Sequence, residues 1–419
     1  MPILGKDYQP GIQKRIFQAK QTIETEFPGL WKPTEACLSV FAQLKIKDIA
    51  NCTFLTFIGS PASRKTTMLS WFHGLDCSYF TDDFSPTSFV SHYAGATEEK
   101  LKEKIDLLPR VKGKVLITPE LMPAYSASYE ELNKNLGIIT RVLDGQGYSR
   151  DSGVHGQRGY KGIEGEWVFH WLAGIAYVPY RLWRMFGNMG TRAYYYGMPE
   201  ENNKSSEELA KELKEDFPLK SKTCRKAIQL VINYLWDKYP EQVEWQKQDD
   251  NIETLEAISK LAILLSSLRG NIELQYEEEG EDAQEVYTQP VIEQPHRANQ
   301  VLYNLARGHA LLYGRRYITN SDLPLIVKVA LDSARTDRVK LFRCLLDKNG
   351  VASSKDFEQY LNISRTMAIR TMMSLKILGL INISKNNPSD KGGRPMYLAQ
   401  LKDEFKWFLS QEFKALWRE

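Results

Sequence analysis

Long apolar runs are missing from this 419-residue chain: no stretch reaches membrane-spanning length, and the opening MPILGKDYQPGIQKR has no basic n-region followed by an apolar h-region. The chain therefore reads as a cytoplasmic protein with no membrane partner. Cysteine is scarce too. Cys37, Cys52, Cys77, Cys224 and Cys344 are isolated, odd in number and without C-x-x-C spacing, which argues against a disulfide framework and a zinc site and leaves them as reduced core residues. Repeats, low-complexity tracts and long Gly/Ser linkers are also missing, so the domains are expected to pack closely. Net charge is small, +3, but unevenly spread: Arg338 to Glu419 carries 15 Lys and Arg against 8 Asp and Glu. A basic terminal module on a slightly acidic body suggests a polyanion partner.

What is present is ordinary globular composition, 42% hydrophobic and 26% charged, with length for two or three domains. Gly11 to Phe27 carries Ile12, Ile16, Ala19 and Ile23 at helical spacing, and Pro33 starts a second helix through Leu44. Residues 52–200 alternate short apolar strands (FLTFIG, KVLITP, VFHWLAGIAYV) with helical stretches such as Glu98 to Leu107. That is the pattern of an α/β fold whose parallel sheet is covered on both faces. Residues 201–335 read as mostly helical, with two β-like runs around the acidic turn EEEGEDAQ, a solvated hairpin tip without assigned function. Four segments are expected: helical 1–51, an α/β core over 52–200, a helical 201–335, and a terminal module over 336–419.

The segment FLTFIGSPASRKTT is an apolar strand, a glycine turn and a helix opening on Lys-Thr-Thr. It approaches G-x-x-x-x-G-K-[ST], in which loop amides cradle phosphates, the Lys reaches the outer phosphates and the hydroxyl ligates Mg2+. Gly59, Lys65 and Thr66 hold the required spacing, while Arg64 stands where the second glycine belongs. The plain alternative is a strand-to-helix turn with a solvated lysine. A carboxylate at a neighbouring strand end is needed to orient water, and KVLITPEL offers Glu120, with Asp82 or Asp83 as further metal candidates beside Thr66. Glu120 is otherwise a helix-start residue complementing a dipole.

Downstream, VLDGQGYSRDSGVHGQRGYKG looks like a basic hairpin bearing Arg150, His155, Arg158 and Lys161, suited to gripping a phosphate backbone without sequence preference; otherwise it is a solvated loop. Arg192 lies between a helical stretch and an aromatic strand, and Arg297 opens a later helix. From Val339 the order is helix, helix Ser354 to Tyr360, turn, helix Ser364 to Leu380, strand, Gly-rich loop and strand, the order of a winged helix. Ser364 suits an N-cap, Arg365, Thr366 and Arg370 would face outward, and Lys391 and Arg394 would sit on the wing. Leu401, Phe405, Phe408, Leu409 and Leu416 give the closing segment an apolar docking face.

Taken together, IGSPASRKTT, VLITPEL, RVLDGQGYSRDSGVHGQRGY, GNMGTR and RANQVLYNLARGHALL resemble the AAA+ ATPases of the MCM-like group, and more closely the MCM-related ATPases of bacterial mobile elements. The resemblance spans roughly Leu30 to Asp332. It implies a P-loop AAA+ core with a helical lid, a homo-oligomeric ring or spiral, ATP and Mg2+ at subunit interfaces, DNA in a central channel, and a replication or mobile-element partner. By the same resemblance Gly59, Ser60, Pro61, Ala62, Ser63, Arg64, Lys65, Thr66 and Thr67 hold the nucleotide. Glu120 takes the Walker B glutamate role, Arg192 the arginine finger and Arg297 the second sensor. Arg64, Pro119 in place of the Walker B aspartate, and Tyr177 near the sensor place depart from the pattern. The departures keep an alternative open: an ATP-gated DNA-binding loader or regulator with little hydrolysis. The zinc-bearing amino-terminal domain of full MCM helicases is not recognised, so helicase activity does not follow from the core.

Overall fold

The computed structural model describes residues 10–83, 85–91, 97–152, 156–189, 192–200, 204–272, 274–276, 285–287, 289–386 and 396–418. The chain forms two compact units: Met1–Val178, Thr191–Thr254 and Tyr303–Asp322 make one, and Pro179–Gly190, Leu255–Leu302 and Leu323–Glu419 the other. The stretch 201–335, expected as a segment of its own, is shared between them.

The first unit is α/β. Its strands are β1 (Phe54–Ile58), β2 (Ser78–Phe80), β3 (Val115–Thr118), the hairpin pair β4 (Gly147–Ser152) and β5 (Gly156–Lys161), β6 (His170–Ile175) and β7 (Ala193–Gly197). Five of them build one parallel sheet in the order β2-β3-β6-β1-β7, an arrangement compatible with a P-loop-like core. Central strands buried on both faces must be apolar throughout rather than alternating. FLTFI, VLIT and HWLAGI satisfy this, and every residue of β3 and β6 is buried. Phe54 stacks on Trp171 across β1 and β6 at 4.3 Å, and the Trp171 indole donates to Thr118 Oγ1 at 3.1 Å. His170 is fully buried in β6, where its Nδ1 accepts from the Thr53 amide at 3.0 Å; burial pushes its pKa down to about 3, so it is a neutral core residue.

The expected amino-terminal helices form as Pro10–Glu26 and Trp31–Gln43, and Ile12, Ile16, Ala19 and Ile23 are the buried stripe of the first. The short edge strand β2 was not foreseen; its three half-buried residues, SYF, carry too little pattern to stand out. All five cysteines are buried free thiols. Among the described residues, no helix is long and apolar enough to cross a membrane.

The second unit holds β8 (Leu274–Tyr276) paired with β9 (Glu285–Tyr287); the acidic turn between them lies outside the described residues. Its terminal part runs helix Thr336–Asp347, β10 (Val351–Ser353), helix Ser354–Leu361, helix Arg365–Ile377, β11 (Ile381–Asn386) and β12 (Met396–Leu401), with an antiparallel sheet in the order β10-β12-β11. Strand β10 is again a three-residue element missed in the sequence. Arg338, almost fully buried, donates to the carbonyls of Leu268 and Gly270 at 2.8 and 2.6 Å, closing the end of helix Ile252–Arg269. The closing segment is not one docking helix. It divides into a 3-10 turn, Asp403–Leu409, and helix Gln411–Arg418. Leu401, Phe405 and Phe408 are buried within the unit, Phe408 against Phe342 at 5.4 Å, while Leu409 and Leu416 are half-buried, so much of the apolar face expected to dock a partner is already covered.

Candidate functional site

Leaving β1, the chain turns at Gly59 and enters helix Lys65–Ser70. A Cβ on Gly59 would lie 2.7 Å from Ser63 Oγ and 2.9 Å from Met198 Cβ, so the loop closes only around a glycine. The position where the motif has its second glycine is more instructive. Arg64 adopts φ +62°, ψ +17°, the left-handed conformation that glycine takes without cost, and Ala62 does likewise at φ +66°. Each such residue costs about 1 kcal/mol. The loop thus keeps a glycine-type backbone although its sequence lacks the glycine.

Lys65 is buried, 6% exposed, and curls back into the loop: its Nζ donates to Gly59 O at 2.6 Å, Ser60 O at 3.0 Å and Ser63 Oγ at 3.0 Å. Three oxygens therefore occupy the three donors of the ammonium. Desolvation lowers its pKa, and the charge of Glu120 opposes that shift. Around the loop lies a cavity of about 640 Å³ bordered by residues 61–67, Glu120, Ala176, Lys204, Leu209, Glu212 and Phe217. Its size would admit a nucleotide, and its lining sets the cations Arg64, Lys65 and Lys204 and three hydroxyls beside the carboxylates of Glu120 and Glu212.

Glu120 reaches the cavity from the end of β3. The approach depends on Gly174 in β6: a Cβ there would collide with Pro119 O, and the Leu121 amide donates to Gly174 O at 2.9 Å. Glu120 is exposed, and its Oε1 accepts from the Met122 amide at 3.0 Å. The carboxylate thus borders the cavity while accepting from the first backbone amide of the short helix Met122–Tyr125. Thr66 is exposed on the same cavity, so a Mg2+ there would take Thr66 and Glu120 with oxygens of its anionic ligand. Asp82 and Asp83 follow the edge strand β2 and do not border it. Tyr177, 60% exposed, follows β6 one residue beyond the cavity-lining Ala176.

Arg192 is half-buried, with Nε and Nη2 each 3.4 Å from Asp144 Oδ1, at the start of β7. Arg297 belongs to the second unit and pairs with Glu293 at 3.9 Å.

The expected basic hairpin forms as β4 and β5, and its register sets Arg150 directly opposite Arg158. Like charges facing each other across an antiparallel pair destabilise it. Arg150 Nε donates to Tyr148 Oη at 3.3 Å. The hairpin base is anchored by Tyr160, whose hydroxyl donates to Asp106 Oδ2 at 2.8 Å while Oδ1 accepts from the Ser91 amide at 2.8 Å. Arg158 and Lys161 border a second cavity, about 610 Å³, with Lys102. His155 lies outside the described residues.

In the second unit Ser364 caps helix Arg365–Ile377, accepting from the Met367 amide at 3.4 Å, after Asn362 ends the preceding helix at φ +52°. Thr366 and Arg370 are exposed and Arg365 half-buried; Lys391 and Arg394 lie outside the described residues. Lys204, Leu209, Glu212 and Phe217 complete the first cavity and were not foreseen. Their one sequence signal is the Ser205–Glu208 capping box that opens helix Ser206–Glu212. No protein-family model matches the chain, and no curated protein matches it.

Proposed function

We propose that this chain is an ATP-dependent, DNA-binding AAA+ motor of the MCM-like type, working as a homo-oligomer in mobile-element replication. One observation carries the reading: Lys65 and Glu120, which follow β1 and β3 on either side of β6, meet in one cavity at the carboxyl ends of a parallel sheet. When bound, Mg-ATP supplies the labile phosphoanhydride. Lys65 then exchanges its three loop oxygens for phosphate oxygens, the loop amides orient them, and Glu120 takes the proton of the attacking water. Arg150, Arg158 and Lys161 on the hairpin hold the DNA backbone, and a winged helix built from residues 336–401 adds a second DNA contact through Arg365, Thr366 and Arg370. Arg192 serves a neighbouring subunit's nucleotide after leaving Asp144, and Arg297 serves as the second sensor.

The alternative, an ATP-gated loader or regulator with negligible hydrolysis, draws support from two contacts. Arg192 is paired with Asp144 and must leave it before turnover, and one oxygen of Glu120 is already engaged with the Met122 amide. Steady-state ATP hydrolysis with and without single-stranded DNA separates the readings. For the motor, DNA raises turnover and Glu120→Gln lowers it by about 10²-fold or more. Turnover that is measurable but indifferent to Glu120→Gln removes the catalytic assignment, and ATP-dependent assembly without turnover selects the loader.

A further inference from the structure

Arg64, held in the left-handed conformation, borders the loop cavity. Its guanidinium lies 5.5 Å from the Phe27 ring and donates to Glu212 Oε1 at 3.1 Å. The same carboxylate oxygen accepts from Lys204 Nζ at 2.8 Å, and all three charged residues border the cavity. Glu212 is the last residue of helix Ser206–Glu212, the negative end of the helix dipole, where a carboxylate is unfavourable. The helix already has its acidic residues in place in the first turn, Glu207 and Glu208, and it buries no residue of its own. What Glu212 gains at this position is the pair of cations. Hydrogen bonding from Lys204 holds its carboxyl below the usual range, so it is an anion at neutral pH.

Building on the nucleotide reading above, we propose that Lys204 is a further polyphosphate ligand of this cavity beside the Arg64 guanidinium, and that Glu212 is an internal anion that occupies both cations until phosphate oxygens displace it. The Phe27 ring, against which the guanidinium lies, gives it a fixed face to turn on as it changes partner. The residue that breaks the loop motif thereby becomes a contact in its own right, and ligand entry releases the end of helix Ser206–Glu212.

Calorimetry with ATP, ADP and AMP at low ionic strength tests this. Glu212→Gln keeps the shape and removes the competing charge, so ATP and ADP should bind about three- to tenfold tighter, AMP less so. The double variant Arg64→Ala/Lys204→Ala should weaken ATP about tenfold, and adding Glu212→Gln to it should change nothing, the coupling expected of groups sharing one partner. Unchanged or weaker ATP binding by Glu212→Gln, in a protein whose binding is lost with Lys65→Ala, overturns the displaceable anion and leaves the nucleotide site standing. If neither the parent protein nor Glu212→Gln binds any triphosphate, the site reading falls and this inference with it.

Discussion

The loop cavity and the β4-β5 hairpin both gather positive charge, and they arrange it differently. In the cavity each cation has an internal counterpart: Lys65 sits on loop oxygens, and Arg64 and Lys204 share Glu212. On the hairpin, two arginines are set face to face by the register. Internal pairing makes a site selective, because a ligand must supply better oxygens than those it displaces and must fit the space they leave. Juxtaposed like charge makes a surface attractive to any polyanion and selective for none. The proposed function would use the contrast as a division of labour between a defined small ligand and an extended nucleic-acid backbone.

Lys65→Ala should break the comparison most severely on the cavity side. Among the described residues that border the cavity the Lys65 ammonium is the one buried cation, and charge-assisted hydrogen bonds of this kind are individually worth more than neutral ones. Triphosphate affinity is expected to fall about 100-fold or more, equivalent to about 2.7 kcal/mol. Calorimetry beside thermal unfolding checks it. A variant that stays folded and binds ATP as the parent does would remove the loop from the site altogether.

On the hairpin side, Arg158→Ala with Lys161→Ala should lower affinity for single-stranded DNA about tenfold at low salt. The plot of log affinity against log salt should flatten by about 0.7 for each lost phosphate contact. Nucleotide binding should not move. Fluorescence anisotropy over a salt series gives both numbers, and an unaltered slope would return the hairpin to a solvated loop.

The same contrast explains which parts were legible in the sequence. The apolar strands β1, β3 and β6 and the amphipathic helix Pro10–Glu26 announce themselves because burial on both faces, or on one stripe, dictates composition. The loop was legible from Gly59 and Lys65, but its backbone was not: nothing in the letters shows that Arg64 and Ala62 accept left-handed angles. Elements of three residues, β2 and β10, take their identity from the strands beside them. Glu212 was illegible for a different reason. Arg64 and Glu212 are brought together only by tertiary folding, across 148 positions of sequence, and a helix-end glutamate looks like a solvated surface residue until its partners are known.

The smallest effect is the sharpest test, because it asks stability and binding to move in opposite directions. Arg150→Glu converts the facing Arg150–Arg158 pair into one of opposite charge. Cross-strand pairs of that kind are worth about 0.2–1 kcal/mol, so the hairpin should become more stable, read as slower exchange of the β4 and β5 amides. Affinity for single-stranded DNA should meanwhile fall, since a carboxylate now competes with phosphate for Arg158, as Glu212 is proposed to do for Arg64. Were the variant to bind DNA more tightly, or its amides to exchange faster, the repulsion across the hairpin would not be what the polyanion relieves. The two regions would then differ in burial alone, and not in how their charge is held.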